Sequence, residues 1–263
     1  MIVSHAHRFV FLEVPQTGTT AIAKELCATY GAEEVLHKHA HLSEFRQAAS
    51  PAERAYRVAV SLRHPLDRLY SYFLKLRNDH LGEFSDPGRF VENGGWVTLA
   101  DRERLAFIRA TDGDFGAYLR RFHVGQRPAI SQYNWGKRRY DFTIRFERLN
   151  EDFHGFLRAM GVEPVRDLPA VNVTEGRERD FLGVYPEELR PEIRRVFGPL
   201  VREWGYELPA SWGSGPLPLA CRAQYAALNL AGRALTELLG ITPRRYEELR
   251  RGRAAQRSEE PAR

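Results

Sequence analysis

Arg8–Val14 alternates little between apolar and polar positions and is rich in Val and Phe, the pattern of a strand buried on both faces. Tyr56–Leu62 and Tyr140–Phe146 read as two further strands. Around them the apolar spacing becomes helical. Thr19–Tyr30 sets Ile22, Leu26 and Cys27 on one side and meets Gly31 at its end. Glu33–Leu36 is a short strand leading into a histidine cluster, and Leu42–Ala48 is helical. Pro65 suits a helix first turn, with Leu66, Leu69, Tyr70, Phe73 and Leu76 forming a stripe behind it. Residues 82–95 are rich in Gly, Asp and Pro and read as a surface loop, followed by short helices at Asp101–Ala110 and Asp114–Phe122. Leu149–Met160 is a helix stopped by Gly161. Pro186–Trp204 is amphipathic and helical, with Ile193, Phe197, Leu200 and Trp204 inward, and Pro191 and Pro199 are positions for a break or kink. Ser211–Pro218 reads as a linker to a helix near Leu219–Leu239.

Strands alternating with helices predict an α/β fold: a parallel sheet with helices on both faces, carrying its ligands beyond the C-terminal strand ends. The expected organisation is an α/β domain over 1–210 and a helical extension with a basic tail over 211–263. The formal charge of +5 is mostly local, because residues 244–263 hold seven Arg and four Glu. That concentration, with no zinc, RRM or basic-zipper signature, argues against a nucleic-acid partner. No run of about 18 apolar residues predicts a membrane span. The first strand begins within ten residues of Met1, leaving no room for a secretory signal. Cys27 and Cys221 fit neither a disulfide framework nor a metal spacing, so a reduced, cytoplasmic setting is expected.

Two strand ends carry anion-binding chemistry. Pro15-Gln16-Thr17-Gly18-Thr19-Thr20 is a small hydroxyl-rich loop: Gly18 allows close backbone approach, and the following helix start points N–H groups outward. It lacks the lysine of a Walker A loop, and a simple hydroxyl-capped helix start accounts for it equally well. The second strand ends on Arg63, with Ser71 two turns into the next helix, so both can converge on one phosphate. An ion pair is the plainer role for Arg63, and Arg68 has Asp67 or Glu13 as alternative partners.

Together these stretches resemble the sulfotransferases that use 3′-phosphoadenosine 5′-phosphosulfate (PAPS), particularly their carbohydrate-type branch. The matching motifs are Gln16-Thr17-Gly18-Thr19-Thr20 and Arg63-His64-Pro65-Leu66-Asp67-Arg68-Leu69-Tyr70-Ser71. Weaker matches follow in order at Ser131-Gln132, Tyr140–Leu149 with Asp152-Phe153, and Val171-Asn172-Val173-Thr174, so the likeness spans roughly residues 8–207. It implies a P-loop-like fold and transfer of a sulfuryl group from PAPS to an acceptor hydroxyl of a carbohydrate or small metabolite, with no metal. Gln16, Thr17, Gly18, Thr19 and Thr20 would hold the 5′-phosphosulfate, Arg63 and Ser71 the 3′-phosphate, and Asn172 and Gln132 are polar contacts.

The family carries Lys or Arg where this chain has Gln16. Glutamine donates a hydrogen bond without charge, and losing a donor to a developing anion typically costs about 3 kcal/mol. Lys24, Lys38 and Arg68 are candidate substitutes, and a catalytically impaired donor-site protein or a nucleotide-dependent kinase are the alternative readings. The family's base falls on His37-Lys38-His39-Ala40-His41, where His39 and then His41 are favoured; metal binding and a structural role stay open. On a strand, His37, His39 and His41 would share one face. Glu147 and Asp152 suit helix-start compensation. Trp96, Tyr133 and Trp135 are candidates for an acceptor-facing surface or for core packing.

Overall fold

The structure, a computed structural model, describes residues 1–131, 140–169, 176, 178 and 180–241. Two compact units make up the chain: Met1–Leu62 with Ile130–Pro169 and Ala226–Arg263, and Arg63–Ala129 with Ala170–Tyr225.

The first unit is built on a five-stranded sheet. Its elements are β1 (Ile2–Ser4), β2 (Phe9–Leu12), α1 (Thr19–Thr29), β3 (Glu33–Glu34), α2 (Leu42–Ala48), β4 (Arg57–Leu62), and later β5 (Phe142–Arg145) and α6 (Leu149–Ala159). The strand order is β3-β1-β2-β4-β5. β2, β4 and β5 are parallel, with Leu12 opposite Val60 and Leu62 opposite Arg145. The expected all-parallel sheet is corrected by β1, which runs antiparallel to both β2 and β3 and makes the sheet mixed. β1 reaches β2 through the four-residue connection His5–Arg8, too short for a crossover, so the pair must be antiparallel. Phe9, Phe11, Val60, Ile144, Phe153 and Phe156 are fully buried. Phe156 meets Phe9 edge-on at 5.0 Å and fastens α6 to the sheet. Each such side chain contributes about 1.5–3 kcal/mol of burial.

The second unit is helical: α3 (Pro65–Arg77), α4 (Leu99–Ala110), α5 (Phe115–Phe122) and α7 (Arg190–Glu203). Its core is an aromatic cluster of Tyr70, Phe73, Tyr118, Tyr185, Phe197 and Trp212 with aliphatic partners. Burial pushes the Tyr118 hydroxyl up to about 12 and the neighbouring His123 down to about 4, since neither charged form is solvated there. α7 runs unbroken through Pro199. Proline supplies no N–H, which would leave the Arg195 carbonyl four residues back without its helical donor. The Cys221 thiol donates to that carbonyl at 3.1 Å. Pro191 lies in the first turn, where the missing N–H has no consequence. The last helix, α8, spans Leu219–Glu237. No helix among the described residues is long and apolar enough to cross a membrane.

Candidate functional site

The loop after β2 is held by its own small side chains. Thr17 is fully buried, and its hydroxyl donates to the Val14 carbonyl at 2.8 Å. The Thr17 carbonyl accepts from Ser61 Oγ on β4, so the neighbouring strand clasps the loop. Ser61 escapes sequence reasoning although it leaves a signal: a hydroxyl inside the otherwise apolar run Val58–Leu62, where it must find a partner. Gln16 and Gly18 both take positive φ, 64° and 81°. Gly18 caps α1 without a side-chain hydrogen bond, and the first turn of α1 holds no acidic residue. A left-handed residue followed by a helical one turns successive N–H groups toward one concave point, an arrangement that receives anions. A Cβ at Gly18 would lie 3.1 Å from Leu149 Cδ2 and 3.2 Å from the Phe146 ring.

The histidine cluster does not form a strand, and the expectation that His37, His39 and His41 share one face fails. The segment is a tight turn in which Ala40 N donates to the His37 carbonyl at 3.0 Å, with Lys38 and His39 at its centre. His39 has φ 65°, uncommon for a residue with a Cβ. The three rings accordingly go to different places. His37 reaches Glu44 at 2.8 Å through Nε2. His41 is buried at the start of α2, where its carbonyl accepts from Glu44 N and Phe45 N. The Nδ1–H of His39 donates to the Glu13 carbonyl at 2.6 Å. That bond fixes the tautomer and makes Nε2 the basic nitrogen. Burial holds the His39 pKa below its ordinary 6.5, because the imidazolium would be poorly solvated. Glu13 is buried, with its carboxylate 2.6 Å from the Met1 ammonium. Lys38, exposed at the turn, extends its ammonium to 3.2 Å from Thr20 Oγ1.

The segment after β4 belongs to the helical unit. Arg63 is buried and lies against Asp67 through two contacts, Nε to Oδ2 at 2.7 Å and Nη2 to Oδ1 at 2.9 Å. This is a buried, two-pronged pair, in place of the surface ion pair offered as its plain role. His64 caps α3 by accepting from Leu66 N at 3.2 Å, while its other nitrogen meets the Glu207 carbonyl at 3.3 Å. The Tyr185 hydroxyl donates to the Leu66 carbonyl at 2.7 Å and anchors the same turn. Ser71, two turns on, is fully buried. Arg68 sets its guanidinium 5.6 Å from the centre of the Trp204 ring.

The remaining candidates are scattered. Asp152 accepts from Arg145 N at 2.8 Å and pairs with Arg148 at 3.3 Å, the expected helix-start role. Trp96 is half exposed and packs edge-on against Phe84. Gln132, Tyr133, Trp135, Asn172 and the basic tail after Ile241 lie outside the described residues. No family model, curated protein or solved structure matches this chain.

Proposed function

We propose that the chain is a sulfotransferase that moves the sulfuryl group of PAPS to an acceptor hydroxyl on a carbohydrate or small metabolite. The observation that carries this reading is the register of the sheet. β2 and β4 are hydrogen-bonded parallel neighbours, so the Gln16–Thr20 loop and the Arg63 segment both leave the sheet's carboxyl edge, from adjacent strands. Ligands of parallel sheets collect at such edges.

On this reading the backbone N–H groups of 17–20 and the Thr19 and Thr20 hydroxyls receive the 5′-phosphosulfate. The Thr17 hydroxyl is committed to Val14, so Thr17 serves through its backbone and by shaping the loop. Arg63 and Ser71 receive the 3′-phosphate, and Asp67 orients the Arg63 fork through its Nε–Nη2 edge. In the transfer, the acceptor oxygen forms a bond to sulfur as the bond from sulfur to the 5′-phosphate oxygen breaks. The electron pair of that bond stays on the phosphate oxygen, and the hydroxyl proton passes to Nε2 of His39. The products are a sulfate monoester and adenosine 3′,5′-bisphosphate, and His39 returns its proton to water. His39 is preferred to His41 because the Glu13 carbonyl sets its tautomer and it is only part-buried, whereas His41 is buried at the start of α2.

Calorimetric titration of adenosine 3′,5′-bisphosphate against ATP with magnesium tests the reading. Saturable binding of the bisphosphate in preference to ATP is expected, followed by transfer from a labelled sulfuryl donor. Binding of ATP with none of the bisphosphate would replace this assignment with a kinase.

A further inference from the structure

The loop after β2 has lost the charge that its proposed task requires, and the turn at 37–40 brings one to it. Two left-handed residues without the freedom of glycine, Leu36 (φ 58°) and His39 (φ 65°), bracket Lys38. Positions of this kind are held against strain of order 1 kcal/mol by contacts elsewhere, and here two side-chain contacts do so. His37 is tied to Glu44 at 2.8 Å on α2, and His39 to the Glu13 carbonyl at 2.6 Å at the end of β2. The His37 ring also meets the Lys38 carbonyl through Nδ1 at 2.9 Å. The backbone of Lys38 is therefore fixed on both sides while its side chain runs to Thr20 Oγ1 at 3.2 Å. A hydroxyl is a modest partner for an ammonium, which has three N–H donors to satisfy.

We infer that Lys38 supplies the loop's missing cation, placing its ammonium beside the 5′-phosphate of the bound nucleotide while Gln16 contributes only a neutral donor. The inference rests on the donor reading above and names the residue that completes that site. One turn thus delivers two groups to the two flanks of one loop: a base at His39 and a positive charge at Lys38. In the transfer step the charge lies beside the phosphate oxygen that keeps the electron pair.

The test compares two nucleotides that differ only at the loop end. Adenosine 3′,5′-bisphosphate carries the 5′-phosphate, and adenosine 3′-monophosphate lacks it. A charge-assisted phosphate contact corresponds to roughly ten- to a hundredfold in affinity. Lys38→Met is expected to weaken the bisphosphate by about that factor and to leave the monophosphate unchanged. Adding Gln16→Lys to Lys38→Met should restore most of the lost affinity, because the charge returns by the other route. Lys38 is exposed, so the thermal midpoint of Lys38→Met should match the parent and confirm that both variants are folded. Equal weakening of both nucleotides would show that Lys38 acts only through structure and would overturn the inference. Unchanged bisphosphate binding in Lys38→Met would overturn it too, while leaving the donor reading in place. A parent protein that binds neither nucleotide would remove the donor reading and the role of Lys38 together.

Discussion

The loop after β2 and the segment after β4 differ in where their cations come from and in how firmly those cations are held. Arg63 is buried, takes both prongs of Asp67 and sits beside a helix start that His64 and Tyr185 secure. Its position is fixed before any ligand arrives. The Gln16–Thr20 loop also holds its backbone, through Thr17, Ser61 and the left-handed Gly18, but the cation that reaches Thr20 is an exposed lysine from another segment. A buried pair gives geometry and tolerates little change, whereas an exposed lysine on a flexible stem can follow a group whose charge moves during reaction. On the proposed reading, fixed charge belongs with the spectator phosphate and adjustable charge with the reacting end.

Five variants press on that contrast. The largest effect falls on the reacting end: His39→Gln should lower turnover by about 10²- to 10⁴-fold, the usual range for a lost general base. Burial lowers the His39 pKa in the folded protein, so the neutral base persists on falling pH, and the acid limb of kcat/KM should lie below pH 6.5. The same sign holds for stability: the contribution is intact above 6.5 and declines as pH falls below it, because the unfolded chain then binds the extra proton. A pH–rate profile with its acid limb above 6.5 would exclude His39 as the base. Next comes Arg63→Ala, which removes the two-pronged Arg63 contact from the buried Asp67 carboxylate and should destabilise the fold by about 3–5 kcal/mol in chemical denaturation. A loss below 1 kcal/mol would mean that the pair is not the fixed element described here. Because of that loss, Ser71→Ala is the cleaner probe of 3′-phosphate binding.

Gly18→Ala should cost about 1–2 kcal/mol for the left-handed backbone alone, with the ends of Leu149 and Phe146 giving way to the new methyl. An unchanged denaturation midpoint would show that the loop is softer than its hydrogen bonds imply. The smallest effect belongs to Gln16→Gly. Relief of the positive φ at Gln16 is worth about 1 kcal/mol, and the added freedom of the unfolded chain removes a similar amount, so the backbone terms together should shift stability by less than about 0.5 kcal/mol. A larger loss would assign the Gln16 side chain a structural role in the loop.

Most elements were legible because they rest on local periodicity. The strands at Phe9–Leu12, Arg57–Leu62 and Phe142–Arg145 lie inside the apolar runs that announce them, and α3 follows its stripe from Pro65 onward. β1 was not legible: three residues are too few for periodicity, and its direction comes from pairing with β2. The helix over Arg190–Glu203 was legible from its amphipathic stripe, but its continuity through Pro199 was not, since the Cys221 contact that satisfies the orphaned carbonyl comes from a residue 26 positions away. At the candidate site, the motif residues could be read one by one but their partners could not. Arg63 and Asp67 are four apart, a spacing that would have named the pair had the helix been extended back by two residues. The left-handed Gln16 and His39 carry no such signal, because sequence cues for positive φ are Gly and Asn. Lys38 and Thr20 meet across 18 residues only because an unusual turn folds one onto the other.

The clasp of Ser61 on the Thr17 carbonyl has a kinetic side. A loop pinned to the next strand need not fold around an arriving anion, so no slow ordering step stands between collision and capture. Departure is equally free of loop opening and requires only that exposed side chains rotate away, on the picosecond-to-nanosecond scale of surface rotamers. Dwell time at that end would follow contact strength, and amide exchange across 17–20 should slow when an anion covers the N–H groups.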